Sequence, residues 1–476
     1  MTSSRLLLFV APLAVLGGCS RIPPLPDSAR EMALPGAWAT ADAAIRPTVV
    51  RDLSYWWRQM GDPVLDELIE RALTSAPDMR TAQARLKQVR AGRDLAVAGL
   101  FPSLAASASA MRTKTGTAAG GSGTSQTLHT AGFDASWEPS IFGGQRDAAL
   151  GAEADLAASV AMLESTRVSL AGEVALEYVT LRTYQQRLAI ARANTASQAE
   201  TLQITDWKQQ AGLVTSLDVE QARTNLEQSR ASIPSLEVGR AEAEHRLAVL
   251  TGQPPGSLRE RLQEIKPLPV PPNEVAVGIP ADTIRQRPDV RAAEWTLRGE
   301  IARSAEQRAA RYPSFTLSGS WGWQAFSTAA LGGSDTLVRS LVGSMAAMLF
   351  DGGRISARIE AQNGVAEQAL VAYEASILTA LEDVENALVS YAAGRERLDT
   401  RRRAAESARN AALLARTLYE AGSVDFQKVL DTDRTRLTAE DGLASAEGDL
   451  LAAVIKLYKA LGGGWRAGGE TTDAQS

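Results

Sequence analysis

Residue types that carry chemistry are sparse in this 476-residue chain, and their spacing does not build a catalytic centre. There are two histidines, His129 and His245, 116 residues apart. The first falls in a predicted loop or strand edge and the second inside a predicted helix. Neither belongs to an HExxH or other metal-ligand spacing. No GxSxG elbow, Walker A loop or dinucleotide fingerprint precedes a suitable helix. Gly120-Gly121-Ser122-Gly123 lies between two predicted strands and opens no helix, so it reads as a surface loop rather than a phosphate cradle. Carboxylate pairs are common on the predicted helices, where they read as solvated faces. The single cysteine, Cys19, excludes an intramolecular disulfide framework and a thiolate metal cluster. Lys and Arg number 50 against 55 Asp and Glu, and no basic block occurs, which argues against nucleic acid as a partner. No catalytic site, cofactor or metal centre is expected.

Cys19 carries a different chemistry. The chain opens Met1-Thr2-Ser3-Ser4-Arg5, then runs apolar from Leu6 to Val15. That run is too short for a transmembrane helix, which needs roughly 20 residues. A basic start, a short apolar core and small residues before a cut site make an export signal, here residues 1–18. Leu16-Gly17-Gly18-Cys19 resembles the lipobox of bacterial lipoproteins, in which the cysteine becomes the lipid-bearing first residue. Gly17 is a less usual choice there. Ser20 follows, and the absence of aspartate at that position points to the outer membrane. No later apolar stretch reaches 18 residues, so a membrane span, if made, is made by strands.

The chain repeats itself. Pro77-Asp78-Met79-Arg80 matches Pro288-Asp289-Val290-Arg291 at an offset of 211, and Phe101-Pro102-Ser103 matches Tyr312-Pro313-Ser314 at the same offset. Ala211-Gly212 matches Ala421-Gly422 at 210, and Phe142-Gly143-Gly144 has its counterpart near Phe350-Asp351-Gly352-Gly353. Ordered landmarks in near-constant register mean two halves of one architecture. Each half predicts a helix between its two prolines, two strands around a polar loop, a long helix (about 145–207, then 354–418), and a last helix after Ala-Gly.

In the strands, Ala131, Phe133, Ala135 and Trp137 alternate with Thr130, Gly132, Asp134 and Ser136, while Phe315, Leu317, Trp321 and Trp323 alternate with small polar residues. These segments have the length of tilted membrane strands, with aromatics near their ends. The segments 103–111 and 337–349 alternate less cleanly. Along the first long helix, Leu156, Leu163 and Leu170 recur at seven residues, as do Val174, Leu181 and Leu188, the mark of supercoiled helices. Sixty such residues reach about 90 Å. Four membrane strands cannot close a barrel, and lipid does not tolerate an open edge, so the chain must oligomerise with rotational closure.

These features together resemble the TolC-like outer-membrane efflux protein family, in its lipoprotein branch. The resemblance rests on Tyr55-Trp56-Trp57-Arg58-Gln59-Met60-Gly61-Asp62-Pro63-Val64-Leu65, Pro288–Arg291, Tyr312–Ser314, Leu349–Arg354 and Tyr419–Gly422, and spans about 54–461. It implies a mostly α chain with membrane β: a homotrimer with a twelve-strand barrel, four strands per chain, continued by a coiled-coil helical tunnel. The divisions expected are a lipid-anchored and equatorial segment 19–73, repeat 1 at 74–252 (strands about 103–111 and 127–140), an equatorial linker 253–282, repeat 2 at 283–462 (strands about 313–326 and 337–350), and a tail 463–476. Aligned on Ala421-Gly422, Asp431 takes the place of the family's constricting aspartate, one per chain, which would make a cation-favouring ring. Gln427 stands where related lipoprotein channels carry a leucine. Arg434 is a candidate to bridge Asp218 of a neighbouring coiled coil. The chain shows no energy source, so the resemblance implies a periplasmic adaptor and an inner-membrane pump as partners, with outer-membrane lipid around the barrel. A lipid-anchored periplasmic coiled-coil adaptor or scaffold is the alternative, disfavoured because two helical hairpins occur in tandem with strands between helices.

Overall fold

The computed structural model describes residues 34–40, 45–47, 53–114, 116, 118, 123–270, 275–277 and 280–464. Cys19, the export segment and the tail after 464 lie outside the described residues. In chain order the elements are β1 (Ile45–Pro47), a 3-10 turn (Trp56–Met60), α1 (Pro63–Ser75), α2 (Pro77–Ala98), β2 (Ser103–Lys114), β3 (Ser125–Trp137), α3 (Gly144–Gln210), α4 (Ser216–Leu250), α5 (Arg259–Leu262), β4 (Val275–Val277), α6 (Pro280–Gln286), α7 (Pro288–Ala309), β5 (Ser314–Ala325), β6 (Leu337–Ala346), α8 (Arg354–Glu420) and α9 (Phe426–Ala460). The repeat is metric as well as topological. Helices α2 and α7 each have 22 residues, α3 and α8 each 67, and α4 and α9 each 35. Among the described residues no helix is long and apolar enough to cross a membrane, which leaves the strands untouched as a means of crossing.

The chain divides into two compact units. The first holds residues Gly92–Asp155 and Leu297–Glu367. Its centre is a four-stranded antiparallel sheet in the order β2-β3-β5-β6. Partners directly across the ladder share a face, so the register sorts the side chains. One face carries Leu104, Ala106 and Ala108 of β2, Ala131, Phe133 and Trp137 of β3, Leu317, Trp321 and Trp323 of β5, and Leu341 and Met345 of β6. The other is small and polar: the Ser107 hydroxyl donates to Asp134 Oδ2 at 2.7 Å, and the Ser320 and Ser340 hydroxyls share a 2.8 Å hydrogen bond. At the helix end of the sheet, Trp137 Nε1 donates to the Leu100 carbonyl at 3.0 Å and Phe142 stacks on Tyr312 at 4.9 Å. At the far end stand Trp323 and the exposed Phe326. The strands differ from the expected spans where local chemistry intervenes: Pro139, which lacks an N–H, follows soon after β3 ends at Trp137. Every residue of the edge strands β2 and β6 is exposed within one chain.

The second unit holds the described parts of Asp27–Ala91, Leu156–Thr296 and Gln368–Ser476. Its core gathers Trp56, Trp57, Leu65, Ile69, Tyr178, Leu247, Val454 and Tyr458. The Trp56 ring stacks on Tyr458 at 5.2 Å. Asp62 caps α1, its Oδ1 accepting from Val64 N at 2.9 Å, and its Oδ2 accepts from the Tyr178 hydroxyl. Arg182 Nε donates to that same hydroxyl at 3.0 Å, and its Nη1 reaches the Glu264 carbonyl at 2.6 Å. Burial and the bond to Asp62 push the Tyr178 phenol up, so it stays a donor. Of the seven-residue recurrences on α3, Leu170, Val174, Leu181 and Leu188 are buried, whereas Leu156 and Leu163 are only half-buried within the single chain. Beyond Leu188 the buried stripe turns polar, with Asn194, Gln198 and Thr205.

Candidate functional site

The residues expected to gate a tunnel lie at the start of α9, where α8 turns back on itself. Helix α8 ends in a Schellman turn: Ser423 N donates to the Leu418 carbonyl at 2.8 Å while Gly422 adopts φ +71°. Only glycine takes that conformation without strain. The first repeat ends α3 the same way, with Leu213 N on the Lys208 carbonyl and Gly212 at φ +73°. Asp425 then caps α9, its Oδ1 accepting from Lys428 N at 3.0 Å.

From that cap the helix period sorts the side chains. Phe426, Val429 and Leu430 are buried against Ala222, Leu202 and Tyr419. Gln427 and Asp431, one turn apart, are left exposed on another face. Gln427 Nε2 donates to Asp431 Oδ1 at 3.3 Å, so the structure brings these two expected residues together. The carboxylate has an amide beside it and no cation bonded to it among the described residues. The equivalent positions in the first repeat, at the 210 offset, are Leu217 and Gln221, so the carboxylate belongs to the second repeat alone.

Arg434 and Asp218 are not brought together within the chain. Asp218 works as the third residue of α4: its Oδ2 accepts from both the backbone N–H and the hydroxyl of Thr215, each at 2.8 Å, closing a capping box. A donor three residues away outcompetes one two hundred residues distant. Arg434 is exposed and makes no ion pair among the described residues. Within a single chain the two residues do not meet, and the expected link is one to a neighbouring coiled coil.

Other links tie α9 and α8 to α3 instead. Arg187 grips Asp441 through two hydrogen bonds of 2.7 and 3.0 Å. Gln186 Nε2 donates to Glu447 at 2.9 Å, and Arg436 Nη2 to Asn194 Oδ1 at 3.2 Å. Lys208 sits over the Tyr419 ring at 4.4 Å. Sequence reasoning missed all four, because the partners stand more than two hundred residues apart and each is an ordinary polar residue on a helix. Along α9, the hydroxyls of Thr432, Thr435 and Thr438 each return to the carbonyl four residues earlier, a pattern that loosens and bends helices. No group of His, Cys, Asp and Glu able to hold a metal occurs among the described residues.

The sequence profile of the family described as "Outer membrane efflux protein" matches residues 68–253 and 279–463. The pyoverdine export outer membrane protein OpmQ of Pseudomonas aeruginosa is 31% identical over 475 residues, covering 98% of each chain. Nodulation protein T of Rhizobium leguminosarum bv. viciae is 30% identical and covers 98% of this chain and 95% of its own. The solved structure of the outer-membrane channel OprN superposes with a TM-score of 0.84 at 34% identity, over 90% of this chain and 98% of that one. The CmeC outer membrane channel of Campylobacter jejuni, at 22% identity, shares the fold with a TM-score of 0.85.

Proposed function

The chain belongs to the outer membrane efflux protein family and is an outer-membrane efflux channel, and we propose that Asp431 and Gln427 form the gate of its helical tunnel. Its fold is that of the trimeric channels in which a barrel continues into helices, and the four-stranded sheet, open at both edges, is one copy's share of that barrel. The observation that carries the gate is the exposed, stacked Gln427–Asp431 pair on the back of an apolar anchor formed by Phe426, Val429 and Leu430.

Three copies present three carboxylates. Two charges 4 Å apart repel by about 1 kcal/mol in water. Within each copy the Gln427 amide steadies its carboxylate by a hydrogen bond that contributes about 0.5–1.5 kcal/mol. The ring narrows the passage and favours cations over anions. Opening then requires α9 to shift against α3, and the buried stripe there is polar (Asn194, Gln198, Thr205), with less apolar area to give up than the stripe from Leu170 to Leu188. In this reading Arg434, exposed and without an ion pair among the described residues, bridges an acid of the neighbouring copy, with Asp218, whose Oδ1 takes no part in its capping box, as the candidate. An exposed link of that kind contributes about 0–1 kcal/mol, weak enough for a docking partner to break.

A duct without an energy source moves its cargo when a pump supplies it. A periplasmic adaptor and an inner-membrane pump are the partners of this channel, and its cargo is a small molecule delivered by them, as in the relatives named for pyoverdine export and toluene efflux. Cys19 carries the lipid anchor. The gate is tested by single-channel recording in planar bilayers. Asp431→Ala in an intact trimer should raise open probability and bring the cation preference towards unity. Conductance and selectivity equal to the parent would place the constriction elsewhere.

A further inference from the structure

The face of the sheet that turns to lipid holds three cations, each near the end of its strand that lies away from the helices. Arg112 stands opposite Thr127 and Lys114 opposite Ser125, on the same side as Ala106, Ala108 and Phe133. Arg339 stands opposite Trp321 on that side. No carboxylate of β2, β3, β5 or β6 shares this face, since Asp134 lies on the polar one. Arg112, Lys114 and Arg339 are exposed, and none has an ion-pair partner among the described residues. The connection 115–124 contains no acid. Asp335, beside β6, accepts a 2.8 Å hydrogen bond from the Ser334 hydroxyl.

Within one copy these cations sit on opposite edges of the sheet, β2 and β6. Rotational closure joins unlike edges, so β2 of one copy must pair with β6 of the next. That pairing also keeps the ladder antiparallel, because β2 and β5 lead away from the helices while β3 and β6 return. Arg112 lies two residues from the end of β2, and Arg339 two residues from the corresponding end of β6. Neighbouring strands lie about 4.8 Å apart. A seam that aligns these strand ends brings Arg112 and Lys114 alongside Arg339 of the neighbouring copy. Cations on a lipid-facing strand are tolerated near the interface and disfavoured at the midplane. Three of them without a carboxylate call for an anion, and guanidinium forks match a phosphate in geometry and charge.

We propose that each subunit seam binds the phosphate-bearing headgroup of an outer-leaflet lipid, with its chains laid along the apolar strip of Leu341, Met345 and Leu104. The site is incomplete in one copy and appears only on assembly. The inference rests on the barrel, not on the gate. Native mass spectrometry of the full-length trimer in detergent tests it, with bis-phosphorylated lipid A as the probe and the same lipid dephosphorylated as its control. The wild-type trimer should hold up to three phosphorylated molecules and bind the control roughly tenfold more weakly, as expected when one charged hydrogen bond is lost. The double variant Arg112→Gln/Arg339→Gln should lose the preference while remaining trimeric. Equal binding of both lipids by the wild type would overturn the proposal even if the variant failed to assemble, as would an assembled variant that kept the preference.

Discussion

Arg287 has a side chain only 9% exposed, yet it faces two carboxylates: it grips Asp289 at 2.7 Å and Asp383 at 2.9 Å, and also donates to the Ala460 carbonyl at 3.0 Å. One guanidinium thus ties the start of α7 to α8 and to the end of α9. Burial alone would push Asp289 up, but the hydrogen bonds and charge of Arg287 outweigh it and hold that carboxyl below its usual range. The sign follows. A carboxyl lowered in the folded state contributes stability that is present above its unfolded pKa of about 3.9 and is lost as pH falls through the folded value. Thermal unfolding in detergent should therefore show a loss of stability on acidification below about pH 4 that is smaller in Asp289→Asn. Arg287→Ala should cost about 1–3 kcal/mol at neutral pH, since Asp289 and Asp383 are partly exposed and can rehydrate. A melting temperature unchanged by Arg287→Ala would remove this clamp from the account. Sequence reasoning named the Pro288–Arg291 motif but not Arg287, whose acids are 2 and 96 residues away.

At the scale of elements, the two central strands meet at a pair of glycines. Gly132 of β3 faces Gly322 of β5, and a Cβ built on Gly132 would stand 2.8 Å from both the Gly322 Cα and the Trp321 carbonyl oxygen. Backbone cannot yield there without breaking the central ladder, so the pair must remain glycine for the two repeats to join in one sheet. Gly132→Val should abolish the heat-resistant trimer on gels and deplete the protein from the outer membrane, whereas Thr130→Val on the same strand should leave both intact. Normal trimer from Gly132→Val would show that the strands can separate there after all. Alternation alone predicted the inner strands β3 and β5 well because their faces differ in polarity. It was weak for β2 and β6, where alanines, Val338 and Val342 blur the contrast and Arg339 falls on the apolar face.

The whole molecule is set by what one chain leaves undone. Two bare sheet edges and exposed apolar residues such as Leu349 and Phe350, at 96% and 88%, have no cover within the chain. Three sheets joined edge to edge supply twelve strands, enough for a barrel, while one sheet is below the roughly eight strands of the smallest membrane barrels. The barrel anchors the protein through apolar area, so a lipid on Cys19, the proposed acylation site, would add attachment without deciding the fold. Cys19→Ser should eliminate acyl labelling yet still yield a conducting trimer of threefold mass. Labelling that persisted would end the lipobox reading, and a monomeric particle would make the lipid part of assembly.

The chain's sequence by itself determined the twofold repeat, the long supercoiled helices, the two-faced inner strands and the need for more than one copy. Each of these depends on periodicity, length or composition, which act between residues close in the chain. The tertiary structure alone decided how distant polar residues pair. Arg187 found Asp441, 254 residues away, and Arg287 found Asp383, while Asp218 closed a capping box and stayed apart from Arg434. The register between helices and between strands sets those partners. It is a property of two surfaces in contact, and neither surface alone encodes it.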